Sequence, residues 1–258
     1  QGTVFAGVRS HAGDDAVRAY TEANLAGQTW VREEMDEPLD ADYVAGAVDL
    51  LGVLAYEELT TYQSLSVHAF SAPDLASRLE LCRFAVADFE HIRLIEGRLG
   101  ELGSTLEGAM APFVGAIDDL NRRTRAETWL EGLVKASVAA GIVADFYRDL
   151  ARLVDPRTRA VVEEVVADNA KSDYLIEAVR SSIEPGSKEA SRLSLWGRRL
   201  VGEALTQAQQ VAADRDAMGG LLIGTVERPG ADLGEIGEIL KRATARHTER
   251  MTRMGLTA

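Results

Sequence analysis

A chain of 258 residues with 46% hydrophobic residues can form one large or two small domains and bury a substantial core, so disorder is not the expectation. Its net charge of −13 opposes non-specific binding to nucleic acid or acidic membrane unless a local basic patch overcomes the field. No run of about 18 apolar residues occurs and the N-terminus has no basic segment leading into an apolar one, which makes a soluble, cytoplasmic protein without membrane contact the expectation.

Richness in Ala, Leu, Glu and Arg, with long stretches of period-3.6 hydrophobicity and few alternating β-branched runs, points to an all-α protein. A short amphipathic stretch at 14–25 comes first, followed by the acidic link "REEMDEPLDAD". The first long helix is predicted from about Ala41 to Phe70, stopping at "SAPD", where Pro73 can occupy a first-turn position. The second reaches about Leu102 and carries the single cysteine, Cys82, which lacks partners at zinc-site spacing and reads as a small core residue. A long, partly helical crossover ends near Thr124, a plausible N-cap.

A third long helix is predicted from about Ala126 to Leu153 and a fourth from about Arg157 to Ser182. Two helical hairpins joined by a crossover make a four-helix bundle. A fifth helix, about Glu189 to Leu222, and a sixth, about Leu233 to Met254, pack outside it, joined by a glycine-rich, loose or kinked connection. The expected domains are an N-terminal extension (1–40), the bundle (41–184) and the C-terminal helices (185–258).

At 100° per residue, Asp88 and His91 fall in the middle of the apolar stripe of the second helix. On the first helix the stripe centres on Glu58, while Glu57 points away. Counted from the turn near Ala72 and Pro73, Glu58 and Asp88 each lie about four helical turns out, so an antiparallel hairpin sets them at one height. Two carboxylates at one depth in an apolar core are costly unless a cation, a shared proton or hydrogen bonds compensate. A metal ion is the economical explanation; the alternative is a satisfied core histidine, with Glu58 paired to an arginine.

The stripe of the fourth helix holds Glu164, Asp168 and Lys171, repeating the Asp88 and His91 spacing with lysine in place of histidine. On the third helix, Ala140 stands level with Asp168 and no carboxylate lies on the stripe; Glu131 is opposite it.

The segments "WLEGLVKASVAAGIVADFYRDLA" and "LWGRRLVGEALTQAQQVAADRDA", with "DFEH" and the "HTERMTRMGL" ending, resemble actinobacterial ferritin-like proteins related to the tRNA methylthio-isopentenyladenosine hydroxylase, from about Ala41 to the C-terminus. The resemblance implies a ferritin-like bundle, an iron cofactor and an oxygen-activating hydroxylase acting on a tRNA base. Ferritin-like di-iron proteins take a Glu from each of two helices and Glu-x-x-His from the other two. Carried over, Glu58 matches the first acid, Asp88 and His91 match the first acid-x-x-His with Asp replacing Glu, and Asp168 matches the acid of the second. Lys171 departs from the second histidine and Ala140 from the remaining acid, so the second half-site is degenerate. Lys171 is then expected in the space of a second metal, neutralising Asp88 and Asp168 with Glu164 nearby, and the remaining N/O set has room for one Fe(II), Mn(II) or Zn(II), or for none.

Tyr62 and Tyr147 would lie near the iron, although bundle packing is the commoner role for both. A tRNA partner needs positive surface, for which "NRRTR" at 121–125, "GRR" at 197–199 and the arginines of the last helix are nominated; a solvated face paired with the abundant acids is the ordinary reading. The alternative function is an inactive ferritin-like scaffold or binding protein, and mineral storage fits least. Arg199 and Glu203 allow an i, i+4 pair, Trp129 and Trp196 read as packing, His11, His68 and His247 have no carboxylate partner, and a homodimer is the expected assembly.

Overall fold

The computed structural model describes residues 39–167, 169–223 and 233–258. The expected helix at 14–25, the acidic link, His11, Asp168 and most of the glycine-rich connection lie outside the described residues. Every element among the described residues is helical, and residues Ala41–Ala258 form one unit.

Helix α1 (Ala41–Phe70) and helix α2 (Leu75–Glu101) form the first hairpin. The cap of α2 is Asp74, whose carboxylate accepts from the Ser77 amide at 2.8 Å. Pro73 therefore precedes the cap instead of sitting in the first turn, because only Asp74 can accept the free amides there. The helices run antiparallel: Arg78 Nε donates to Ala69 O at 3.2 Å near the turn, and His91 meets Glu58 farther out. Cys82 is exposed, not core, on the outer face of α2 with Leu75, Leu79, Val86 and Phe89.

The crossover is more helical than expected. It comprises α3 (Leu106–Met110), a 3-10 turn (Ala111–Phe113) and α4 (Val114–Arg123). Thr124 closes α4, its Oγ1 donating to Leu120 O at 2.7 Å, and the N-cap of α5 (Trp129–Leu150) is Thr128. A capping box with Glu131 explains the shift: the Thr128 hydroxyl accepts from the Glu131 amide at 3.2 Å, and the Glu131 carboxylate accepts from the Thr128 amide at the same distance.

Where one fourth helix was expected there are two, α6 (Pro156–Val165) and α7 (Asn169–Ser182). The run "VVEEVV" is rich in β-branched residues that favour helix weakly. The halves also serve different cores: Val162 and Val165 pack with Leu50, Leu54 and Ile95, whereas Leu175 and Val179 pack with Leu81, Leu133 and Leu193. The break lets each half turn its apolar face to its own cluster.

The fifth helix is likewise two, α8 (Lys188–Asp214) and α9 (Asp216–Ile223), divided at Arg215, whose Nε donates to buried Asp49 at 3.0 Å. Helix α10 (Leu233–Arg253) completes the described chain. Helices α8 and α10 pack against α5, and α9 packs against α1. Trp129 and Trp196 pack at the α5–α8 contact, with Trp196 Nε1 donating to Glu131 O at 3.2 Å. The Arg199–Glu203 pair does not form, since the end of α4 intervenes: Glu203 accepts from Arg123 Nε at 2.8 Å and Arg199 donates to Arg123 O at 2.8 Å. Among the described residues no helix is long and apolar enough to cross a membrane.

Candidate metal centre and the cavity beside it

The hairpin brings Glu58 of α1 against Asp88 and His91 of α2. Each offers one ligand atom, and these atoms lie within 4.8 Å of one another. His91 Nδ1 stands 2.9 Å from Glu58 Oε2. Asp88 is fully buried, and its Oδ1 accepts from the ammonium of Lys171, itself buried near the start of α7. Asp88 Oδ2 is buried with no hydrogen-bond partner. Burial pushes the Asp88 carboxyl up against the pull of Lys171, and Glu58 adds to the rise. Burial disfavours the imidazolium of His91, but the bond to Glu58 and the charges of Glu58 and Asp88 outweigh it and raise its pKa.

The sequence reading turned Glu57 away from the core, and the structure corrects this. Glu57 Oε2 is buried without a partner, and burial together with the neighbouring Glu58 charge lifts its carboxyl to about 8, with Tyr147 holding it down. Tyr147 is buried in turn, and its hydroxyl is raised well above 10.0 by burial and by Glu57. The reason for the miss is that α1 packs against α2 on one side and against α5 on another, so it has more than one buried face. A single stripe centred on Glu58 conceals the second.

Tyr62 packs its ring 5.4 Å from that of Phe89. Glu164, expected beside Lys171, is exposed on α6 because the break after Val165 ends the stripe assumed for one continuous helix. Helix α5 gives no described carboxylate to the cluster: Glu131 is bound to its own cap and to Arg192, while buried Asp145 and Asp149 accept from arginines of α10.

Beside the cluster lies a cavity of about 270 Å³ between α1, α4, α5, α8 and α10. Glu57, Glu58, Tyr147 and Lys171 line it beside the cluster, and its walls are largely aliphatic, including Leu65, Ile117, Ile142, Val201, Leu205 and Val211.

The donor set fits one metal ion. Three oxygen and nitrogen ligands about 2.0–2.2 Å from one ion stand roughly 3.3–3.8 Å apart, so atoms now within 4.8 Å of one another close on an ion with shifts of under about 1 Å. Asp88 Oδ2 is a buried acceptor without a donor among the described residues, as a ligand position would be. Lys171 already occupies the other oxygen of Asp88 with a positive charge.

Several of the nominated basic residues pair with acids within the chain. Arg123 pairs with Glu203, Arg242 with Asp149, Arg246 and Arg250 with Asp145, and Arg253 with Asp173. His68 Nδ1 lies 2.7 Å from Ser64 O, and His247 is buried with its Nδ1 unpartnered.

Residues 41–225 match the family described as "Ferritin-like domain, actinomycetes". No curated protein matches the chain. Among solved structures the chain is similar to "Protein 19 with aldehyde deformylating oxidase activity from Synechococcus", with a TM-score of 0.66 and 20% identity over 85% of this chain and 94% of that chain. Likeness at that identity establishes the fold alone.

Proposed function

We propose, for a chain that belongs to the ferritin-like domain family of actinomycetes, a non-haem iron protein in which Glu58, Asp88 and His91 hold a single ion at the end of an apolar cavity. The observation that carries the reading is the convergence of three ligand atoms within 4.8 Å. Two carboxylates and one imidazole suit Fe(II), Mn(II) or Zn(II). Iron is the first choice, because a protein of the same fold carries an oxidase activity in its description. When bound, such an ion supplies Lewis acidity and redox chemistry at the cavity end.

The chain's own residues have separate roles. Lys171 takes the place of a second ion by neutralising Asp88, so the site is mononuclear. Glu57 and Tyr147 hold protons at the cavity end at neutral pH. The aliphatic walls exclude water from a substrate that is itself apolar. The tRNA hydroxylase role implied by the resemblance gains no support from the paired arginines, whereas the cavity favours a largely apolar substrate.

A second reading is a metal-free scaffold, favoured by the way Lys171 and His91 already pair with Asp88 and Glu58. Metal content by plasma mass spectrometry decides between them, on protein purified without chelator and again after anaerobic Fe(II) loading, with His91→Ala as control. The expected result is about one ion per chain, lost in the variant. No metal above the control establishes the scaffold, and about two ions per chain overturns the role given to Lys171.

A further inference from the structure

Only four lysines occur in the chain, and two of them, Lys135 and Lys171, line the cavity. Lys171 has Asp88 as its counter-charge. Lys135, on α5, is half-buried; its Nζ donates to Asn121 Oδ1 at 2.9 Å, and among the described residues no carboxylate is paired with it. Burial lowers its pKa to about 8, and no charged neighbour contributes to that shift. An ammonium has three donors, and one is used here.

A second donor stands nearby. Gln207 of α8 is buried, its Oε1 accepts from Arg123 Nη2 at 3.0 Å, and its Nε2 is buried with no partner among the described residues. Asn121, which holds Lys135, and Arg123, which holds Gln207, sit in the last turn of α4, so both donors are tied to the same turn. Glu203, one turn before Gln207 on α8, is taken by Arg123. A partly desolvated cation and an orphaned buried amide N–H group, lining one cavity in a chain of net charge −13, describe a site that lacks its anion.

Lys135 and Tyr147 are twelve residues apart on α5, about 18 Å along the helix at 1.5 Å per residue. Both residues line the one cavity, whose walls are largely aliphatic and which Glu57 and Glu58 line as well. We infer that the cavity takes a monocarboxylic acid with a long apolar chain, its carboxylate held by Lys135 Nζ and Gln207 Nε2 and its chain directed along α5 toward Glu57 and Glu58. A neutral chain of the same length would fill the walls but leave Lys135 unpaired. This names the substrate class for the cavity proposed above, and it rests on that reading only for the role of the far end.

The test is calorimetric titration of the full-length, metal-free protein with dodecanoate and with dodecan-1-ol, each below its aggregation threshold, alongside Lys135→Met and Gln207→Leu. The unsubstituted protein is expected to bind the acid at least about tenfold more tightly than the alcohol, as a charge-assisted bond to a desolvated partner implies. Lys135→Met should bind the two alike while keeping its affinity for the alcohol, and Gln207→Leu should lose part of the preference. Removing an uncompensated cation is not expected to unfold the protein, and retained alcohol binding verifies that the cavity is intact. The inference is overturned if Lys135→Met binds dodecanoate as the unsubstituted protein does, or if the acid shows no advantage over the alcohol. Metal counts on separately Fe(II)-loaded protein distinguish the two proposals: acid binding by a protein that takes up no metal sinks only the iron site, and metal uptake without acid binding sinks only this inference.

Discussion

The Lys171 ammonium donates to Asp88 Oδ1 across 83 residues of sequence, joining the second half of the bundle to the first at a fully buried carboxylate. Breaking such a pair by removing one partner leaves a buried charge without compensation, at about 3–5 kcal/mol. Lys171→Met should therefore destabilise the metal-free protein by roughly that amount, measured by urea denaturation. The double variant Lys171→Met, Asp88→Asn should recover most of the loss, because the remaining amide carries no charge. If the single variant unfolds at the same urea concentration as the unsubstituted protein, the pair has no hold on the core.

Much of this relationship is legible in the sequence, and the limits of that legibility are physical. Helical periodicity puts Asp88, His91 and Glu58 on apolar stripes, and counting turns from Pro73 sets them level, because a short hairpin fixes the register of both arms. The bounds of α1 and the start of α10 follow from the same periodicity. Glu57 escapes because one stripe per helix is the right description only for a helix buried on one side, and α1 is packed on several. The division of α6 from α7 escapes because it reflects two separate core clusters, a tertiary fact that no local pattern encodes. Lys135 and Gln207 escape for a related reason: their significance lies in what does not pair with them.

Acid stability should depend on Asp155, the cap of α6. Burial alone would raise its carboxyl, but bonds from the Thr158 and Tyr43 hydroxyls and the Thr158 amide, with the Arg98 charge, hold it down to about 2. A folded-state pKa below the unfolded value of about 3.9 adds stability that is present above that value and is lost as pH falls toward the folded one. Asp155→Asn should flatten the stability profile between about pH 4 and pH 2 while lowering the plateau at neutral pH. Arg98, only 6% exposed, loses its cross-helix carboxylate in this variant, so the plateau should fall by about 2–4 kcal/mol. Denaturant midpoints taken across that pH range test both parts, and an unchanged slope in the variant would remove Asp155 as the cause.

Two helical glycines should respond to alanine with opposite signs. Helix α3 crosses α1 at Gly52, where an added Cβ would stand 2.1 Å from Ala109 O, a backbone atom that cannot turn aside. Gly52→Ala must push α3 off α1, and we expect a loss of about 1–3 kcal/mol from overpacking that exceeds the gain in helix propensity. At Gly97, on the exposed face of α2, an added Cβ meets nothing within 4 Å. Gly97→Ala should therefore stabilise the protein by about 0.5–1 kcal/mol through propensity alone. Thermal denaturation of the two variants side by side reads the difference. Equal shifts would mean that α3 does not hold its place against α1, and with it would go the close crossing that ties the crossover to the first hairpin.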